Sequence, residues 1–398
     1  MSTNTNEFQS GWRLLLGSFL GIGFGLSSVY FYSIGIFIKP LTLEFGWTRG
    51  EVSLGSTFGT IAAVIGSVIM GRLVDKFDAV HIGLISMIVL SVGFFGLGTL
   101  VNGLPSYFFF VAAISFLAIG STALSFSRPI VENFERHRGL ALGLVLSGVG
   151  LGAILVPRIL TPFVAENGWR SGYIALGIAV LVVVPLVWFV FRGQTQTTKG
   201  ARVASKNEYG FIVSQYPFYL ISGIFMLAAI SVIGTVVHFV PLLTDQGLSP
   251  AEAGATASLI GFAAIGGRLF AGFLIDRFPV GLVTCGLFLI AAAGLVTLAL
   301  GGDRFLVFGA LITGLAIGAE VDILTYLTGK YFPKRVFGQA YGLLFALFSL
   351  GAAIGPVLYG YLFDKNGDYI QAMLIGSLCL VIAGFCALLL DRVKPKLT

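Results

Sequence analysis

Three ionisable residues stand in stretches that are otherwise apolar. Arg268 lies inside GFAAIGGRLFAGFLIDRF (261–278), and Glu320 and Asp322 lie inside GLAIGAEVDILTYLTGKYF (314–332). An arginine at the centre of a membrane helix costs about 2.5–3.5 kcal/mol on insertion scales, so an anion is needed to offset it. At 1.5 Å per residue, Arg268 sits roughly 12 Å above Asp276, and Glu320 roughly 15 Å above Lys330. These matching depths predict a Glu320–Arg268 pair, with Asp322 as the rival acid. Two positions apart on a helix is roughly 200° of rotation, so Glu320 and Asp322 cannot both face one cavity. Any anion that took the cation from its acid would free that acid to hold a proton, so proton coupling is expected at Glu320 or Asp322.

Tyrosines can shape such a pocket, because the hydroxyl hydrogen-bonds a carboxylate while the ring bounds an apolar tail. Tyr30 and Tyr32, in SSVYFYSIG (27–35), and Tyr326, after the two acids, are candidates for substrate contact. Packing within the protein is the competing role, and for Tyr331 the interfacial belt. The other intramembrane polar residues read as structural. Arg128 snorkels or ties to the loop of Asp75, Arg158 snorkels at the far interface, and His238 is expected to be satisfied by hydrogen bonds. No metal cluster, phosphate loop or catalytic pair of acids appears, so neither an enzyme nor a cofactor is expected.

The elements that position these residues follow from composition. Of 398 residues, 57% are hydrophobic and 11% charged. A soluble chain of this length carries about 25% charge, whereas here charge gathers in short clusters between runs long enough to cross a bilayer. The 54 glycines fit close packing of membrane helices. A net charge of +6 reflects loop topology and not nucleic-acid binding. The three cysteines all lie in apolar runs and offer neither a disulfide framework nor zinc spacing. The first apolar stretch runs to about Phe37, too long for a signal peptide, and reads as a span.

Cutting at the polar clusters predicts an all-α membrane protein of twelve transmembrane helices in two pseudo-symmetric six-helix bundles. The halves are 1–191 and 214–398, joined by a cytoplasmic linker over 192–213 that is rich in Thr, Lys and Gly. The halves repeat: GRLVDKF (71–77) returns as GFLIDRF (272–278), LAIG (117–120) as LAIG (315–318), and Pro157 as Pro356. Duplicated six-helix halves are an architecture of secondary transporters. Of the 24 Lys and Arg, Arg128, Arg158 and Arg268 fall within spans. Lys39, Arg49, Arg170, Arg304 and Lys365 collect on one side, and all the others share the side of the termini. That bias puts both termini in the cytoplasm.

At GRLVDKF and its echo the chain resembles the major facilitator superfamily, whose hallmark is a Gly-x-x-x-Asp-Arg/Lys loop after the second helix. The resemblance covers essentially the whole chain. It implies a conformational latch at Gly71, Arg72, Asp75, Lys76, Gly272, Asp276 and Arg277, where glycines pack helices closely and the charges hold helix ends together on the cytoplasmic side. NFERHRGLALGLVLSGVGLGAILVP (133–157) and Arg268-Leu-Phe-Ala-Gly272 resemble the monocarboxylate transporters and the oxalate:formate antiporters. In that branch the eighth-helix arginine binds the substrate carboxylate. This chain departs from the branch in having Ala264 where the mammalian carriers have an aspartate, Tyr32 where they have a lysine, and no lysine in 338–362. One central cation implies a monoanion.

The resemblance thus implies a secondary transporter of a small organic monoanion, coupled to protons. Its partners are the acid, protons and the lipid bilayer, with no nucleic acid, no obligate protein partner and no cofactor. The short termini and compact linker point to a bacterial inner membrane. Two alternatives are a proton-driven exporter of drugs or other amphipathic compounds and a non-transporting membrane sensor.

Overall fold

The computed structural model describes residues 7–134, 137–193, 208–333 and 335–393, all without strands. Most of the linker, with Arg136, Lys334 and the last five residues, lies outside them. The helices are α1 (Glu7–Gly23), α2 (Phe31–Phe45), α3 (Arg49–Lys76), α4 (Ala79–Leu100), α5 (Leu104–Leu117), α6 (Ala123–Phe126), α7 (Arg128–Asn133), α8 (Arg138–Leu146) and α9 (Gly148–Phe191). They continue with α10 (Tyr209–Val213), α11 (Tyr216–Asp245), α12 (Pro250–Ile275), α13 (Val280–Leu300), α14 (Leu306–Tyr331), α15 (Phe337–Asn366) and α16 (Ile370–Leu390).

Ten helical stretches among the described residues are long and apolar enough to cross a membrane. One of them, Arg138–Phe191, turns at Gly168, whose φ of 81° suits a residue without a side chain. The expected fourth span is broken into α5, a 3₁₀ turn, α6 and α7. Taking the Gly168 turn as a loop and 104–133 as one interrupted span gives the twelve segments expected. The first span is also interrupted, by a π turn over Leu26–Tyr30. There the Leu26 amide donates to Ser121 Oγ at 3.1 Å, so a side chain satisfies backbone that the ladder releases.

The chain gathers into two compact units, 1–34 with 61–201 and 35–60 with 202–398. In the first, α1 packs on α9 at Gly17 against Phe191 and Gly23 against Gly148, and Ser91 Oγ on α4 donates to the Gly177 carbonyl at 2.7 Å. In the second, α11 packs on α15 where Gly351 and Gly355 meet the backbone of Met226 and Ile230. Lipid tails are as apolar as leucine, so van der Waals contact at small residues holds such helices together. Outward apolar residues such as Leu43, Leu269 and Leu300 remain exposed, as bilayer contact requires.

Candidate functional site

The seam between α12 and α14 positions the central charges. The two helices run parallel, and a side chain on Gly314 would meet the Ile260 carbonyl, while one on Gly318 would meet that of Ala264. Each pair is 54 positions apart, and so are Arg268 and Asp322, one turn further along. There the small residues stop and long side chains meet: Arg268 Nε lies 2.9 Å from Asp322 Oδ2. The contact is a close ion pair and not a directional hydrogen bond, since the Nε–H is not aimed at an acceptor. The side chains are 30% and 35% exposed. A half-exposed ion pair beside lipid tails would be expensive, so this face of the second unit is one suited to water.

The expected Glu320–Arg268 pair is corrected by this register. Glu320 is turned away, on the buried face with Ala316, Ile323, Leu324 and Leu327. It is wholly buried, and neither carboxylate oxygen has a hydrogen-bond partner among the described residues. Ala264 lies on the same seam, its carbonyl meeting Gly318 and its side chain half-exposed one turn before Arg268.

The candidate tyrosines divide. Tyr326 is 43% exposed on α14. Tyr30 is buried in the first unit, its ring 6.4 Å from Phe94 and its hydroxyl beside Ser115. Tyr32 is half-buried, edge-on to Phe31 at 4.9 Å.

At the expected latch, the tight packing at Gly71 and Gly272 is not found. A Cβ at either would meet nothing within 4 Å. Arg72, Lys76, Asp276 and Arg277 are exposed; Arg277 lies over the Phe273 ring at 3.6 Å, and the Asp75 side chain is outside the described ones. Arg128 ties to this loop through backbone, its Nη1 donating to the Val74 carbonyl at 2.6 Å and its Nε to Glu132 at 3.1 Å.

A second charged cluster, within the second unit, was not read from the sequence. Arg49, 7% exposed at the start of α3, reaches Asp245 Oδ2 at 2.6 Å and Tyr369 Oη at 2.6 Å, with the Phe363 ring 3.6 Å from its guanidinium. Lys39 holds the other Asp245 oxygen at 3.0 Å. The Asp364 carboxylate accepts the backbone N–H groups of Arg49 at 2.9 Å and Gly50 at 2.7 Å, an anion at a helix N-terminus. His238 is satisfied, as expected: Nδ1 lies 2.9 Å from Tyr369 Oη, and Nε2 lies 2.8 Å from the Pro356 carbonyl and 3.1 Å from Ser53 Oγ. A carbonyl only accepts, so Nε2 carries the proton and Nδ1 takes the Tyr369 hydroxyl. A directed chain therefore runs from Arg49 through Tyr369 and His238 to Pro356.

Comparison with known proteins bears on the family and the fold. The chain is 25% identical over 390 residues to the sialic acid transporter NanX of Escherichia coli (strain K12), covering 92% of each. It is 24% identical to monocarboxylate transporter 11 of Homo sapiens, across 97% of this chain and 84% of that one. The solved structure of the nucleoside transporter NupG superposes with a TM-score of 0.77 at 14% identity, over 96% of this chain and 99% of the other. Residues 20–319 and 220–398 match the Major Facilitator Superfamily. With its helical units, paired repeats and end-to-end match, this chain belongs to the Major Facilitator Superfamily and is a multi-pass membrane transporter, not an enzyme.

Proposed function

We propose that the protein is a proton-coupled symporter of a small organic monoanion, with Arg268 as the carboxylate site. The observation that carries this reading is the half-exposed Arg268–Asp322 pair, a mid-span cation whose counter-ion belongs to the protein. A substrate carboxylate that takes the guanidinium through Nε and an Nη competes with Asp322 for it. The freed Asp322 then accepts the proton that travels with the anion, so each ligand promotes binding of the other. Glu320 is the second candidate for holding a proton, because charge on a buried carboxyl without a partner has nothing to offset it. The relatives named for sialic acid and monocarboxylates support an acidic substrate.

Tyr326 would bound the substrate on the α14 side, with Tyr30 and Tyr32 supporting the first helix. Alternating access would rock the repeated halves, 1–191 and 214–398, about the linker 192–213. Those halves differ from the compact units, since residues 35–60 go with the second. Gly71, Arg72, Asp75, Lys76, Gly272, Asp276 and Arg277 would latch the cytoplasmic ends during the cycle. Both termini would be cytoplasmic, in a bacterial inner membrane.

The test is uptake of radiolabelled lactate, pyruvate, acetate, oxalate and benzoate into proteoliposomes, with and without an inward proton gradient. Wild type runs beside Arg268→Gln and the charge-balanced Arg268→Gln/Asp322→Asn, each checked for folding by size exclusion. Proton-driven uptake of a monoanion, lost in both variants, is expected. A substrate whose transport survives both would overturn the assignment and favour the exporter.

A further inference from the structure

Four aromatic rings climb one face of α15 beside the central ion pair. Phe337 and Tyr341 have centroids 6.1 Å apart with planes 8° from parallel. Tyr341 and Phe345 follow at 5.8 Å and 22°, and Phe345 and Phe348 at 5.6 Å and 29°. Rings three or four residues apart are neighbours on any helix, so the stack alone identifies no ligand. Its surroundings are more specific. The Tyr341 hydroxyl is on the α14 side, within electrostatic reach of Thr325 and of the Asp322 carboxylate that is the counter-ion of Arg268. Phe348 at the inner end is buried, whereas Phe345 is 38% exposed and Tyr341 half-buried.

Depth agrees with this adjacency. Phe345 is eight residues from the start of α15, and Arg268 eight residues from Asp276 at the end of α12, so each lies roughly 12 Å from its helix end. An exposed ring could simply meet lipid. That reading is poor for Tyr341, because a hydroxyl next to a half-exposed ion pair faces the same aqueous space as the pair. What lines this face is one cation, one displaceable anion and a strip of flat, accessible aromatic surface.

We infer that Tyr341 and Phe345 select for an aromatic ring on the substrate, so that the preferred cargo is an aryl or arylalkyl monocarboxylate. This rests on the reading of Arg268 as the carboxylate site. When the carboxylate replaces Asp322 on Arg268, the rest of the molecule is carried against the α15 strip. A planar ring then meets Phe345 in offset or edge contact, and a saturated ring of the same size loses that geometry. Tyr341 adds a hydroxyl that can follow the carboxylate or the released Asp322.

The experiment compares phenylacetate with cyclohexylacetate, matched in charge and nearly in volume, in proteoliposomes containing the full chain. The ratio of their kcat/KM values is read for wild type, Tyr341→Phe, Tyr341→Leu, Phe345→Leu and Arg268→Gln, with thermal unfolding as the folding check. Wild type is expected to favour phenylacetate by about 3- to 10-fold, the size of an aromatic pair contribution. Tyr341→Phe should keep most of that preference. Tyr341→Leu and Phe345→Leu should each bring the ratio towards one. A wild-type ratio of one, with both acids still lost in Arg268→Gln, would overturn this inference and leave the carboxylate site standing. Carriage of neither acid, or carriage indifferent to Arg268→Gln, would overturn the carboxylate site and the inference with it. If Phe345→Leu cannot be purified folded, Phe345→Met supplies the same ratio with a flexible apolar side chain.

Discussion

Asp322 follows Arg268 by the same 54 positions that separate Gly318 from Ala264 and Gly314 from Ile260. The ion pair is therefore the next rung of a glycine seam, and its geometry depends on how closely α12 and α14 approach. Gly318→Leu should lower stability by about 2 kcal/mol, because its side chain must displace backbone. Gly71→Ala and Gly272→Ala, with open space around them, should stay within about 1 kcal/mol of wild type or rise through better helix propensity. Thermal unfolding in detergent measures all three. A Gly318→Leu protein as stable as wild type would show that the seam is looser than described.

Asp322→Asn removes the anion that competes with substrate for Arg268. Substrate affinity should improve several-fold, while proton-driven accumulation is lost and exchange without a gradient persists. Binding by isothermal titration and accumulation against counterflow separate these effects. If Asp322→Asn still accumulates substrate on a proton gradient, the proton is carried elsewhere, and Glu320→Gln becomes the informative variant.

The two cations on Asp245 should differ in weight. Arg49 is nearly enclosed and stacked on Phe363, so Arg49→Gln is expected to cost about 2 kcal/mol, somewhat less than a fully buried pair because Asp245 keeps part of its hydration. Lys39, with 39% of its side chain exposed, should cost less than about 1 kcal/mol as Lys39→Gln. Equal losses in detergent unfolding would mean that burial does not set the order.

The hydrogen-bond chain through Tyr369 fixes a tautomer. Nitrogen-15 NMR of histidine-labelled protein should find His238 protonated on Nε2 and bare on Nδ1. Tyr369→Phe would leave Nδ1 without a donor and remove one acceptor of Arg49, a loss of about 1–3 kcal/mol. A proton on Nδ1 and none on Nε2 would break the chain, because Arg49 only donates and the Pro356 carbonyl only accepts.

Much of the architecture was legible because membrane crossing is written in composition: long apolar runs, sorted cations and a repeat near 200 residues. Arg268 was legible for the same reason, as a charge whose cost demands an explanation. The choice between Glu320 and Asp322 was not, since helix depth separates them by only about 3 Å. The deciding pattern was nonetheless present, because Gly314, Gly318 and Asp322 share one stripe and Glu320 does not. Gly71 and Gly272 show the converse, since a glycine between helices does not say whether a neighbour has approached. The cluster of Arg49, Asp245 and Tyr369 was hidden differently. Its members sit at span ends, where a charge already has a sufficient role in topology, and more than 100 residues separate each from the next.

Asp364 reaches residues 49 and 50 through their amides and not through their side chains. Every amino acid but proline supplies that amide, so the contact is fully exposed to mutation at one end and almost immune at the other. Across relatives that keep it, the acid at 364 should be held while position 50 drifts among small residues, its size limited by the carboxylate oxygen 3.0 Å from where a Cβ would stand. This one tie of α3 would then be inherited through a single codon, unlike those that Arg49 and Ser53 make through their side chains.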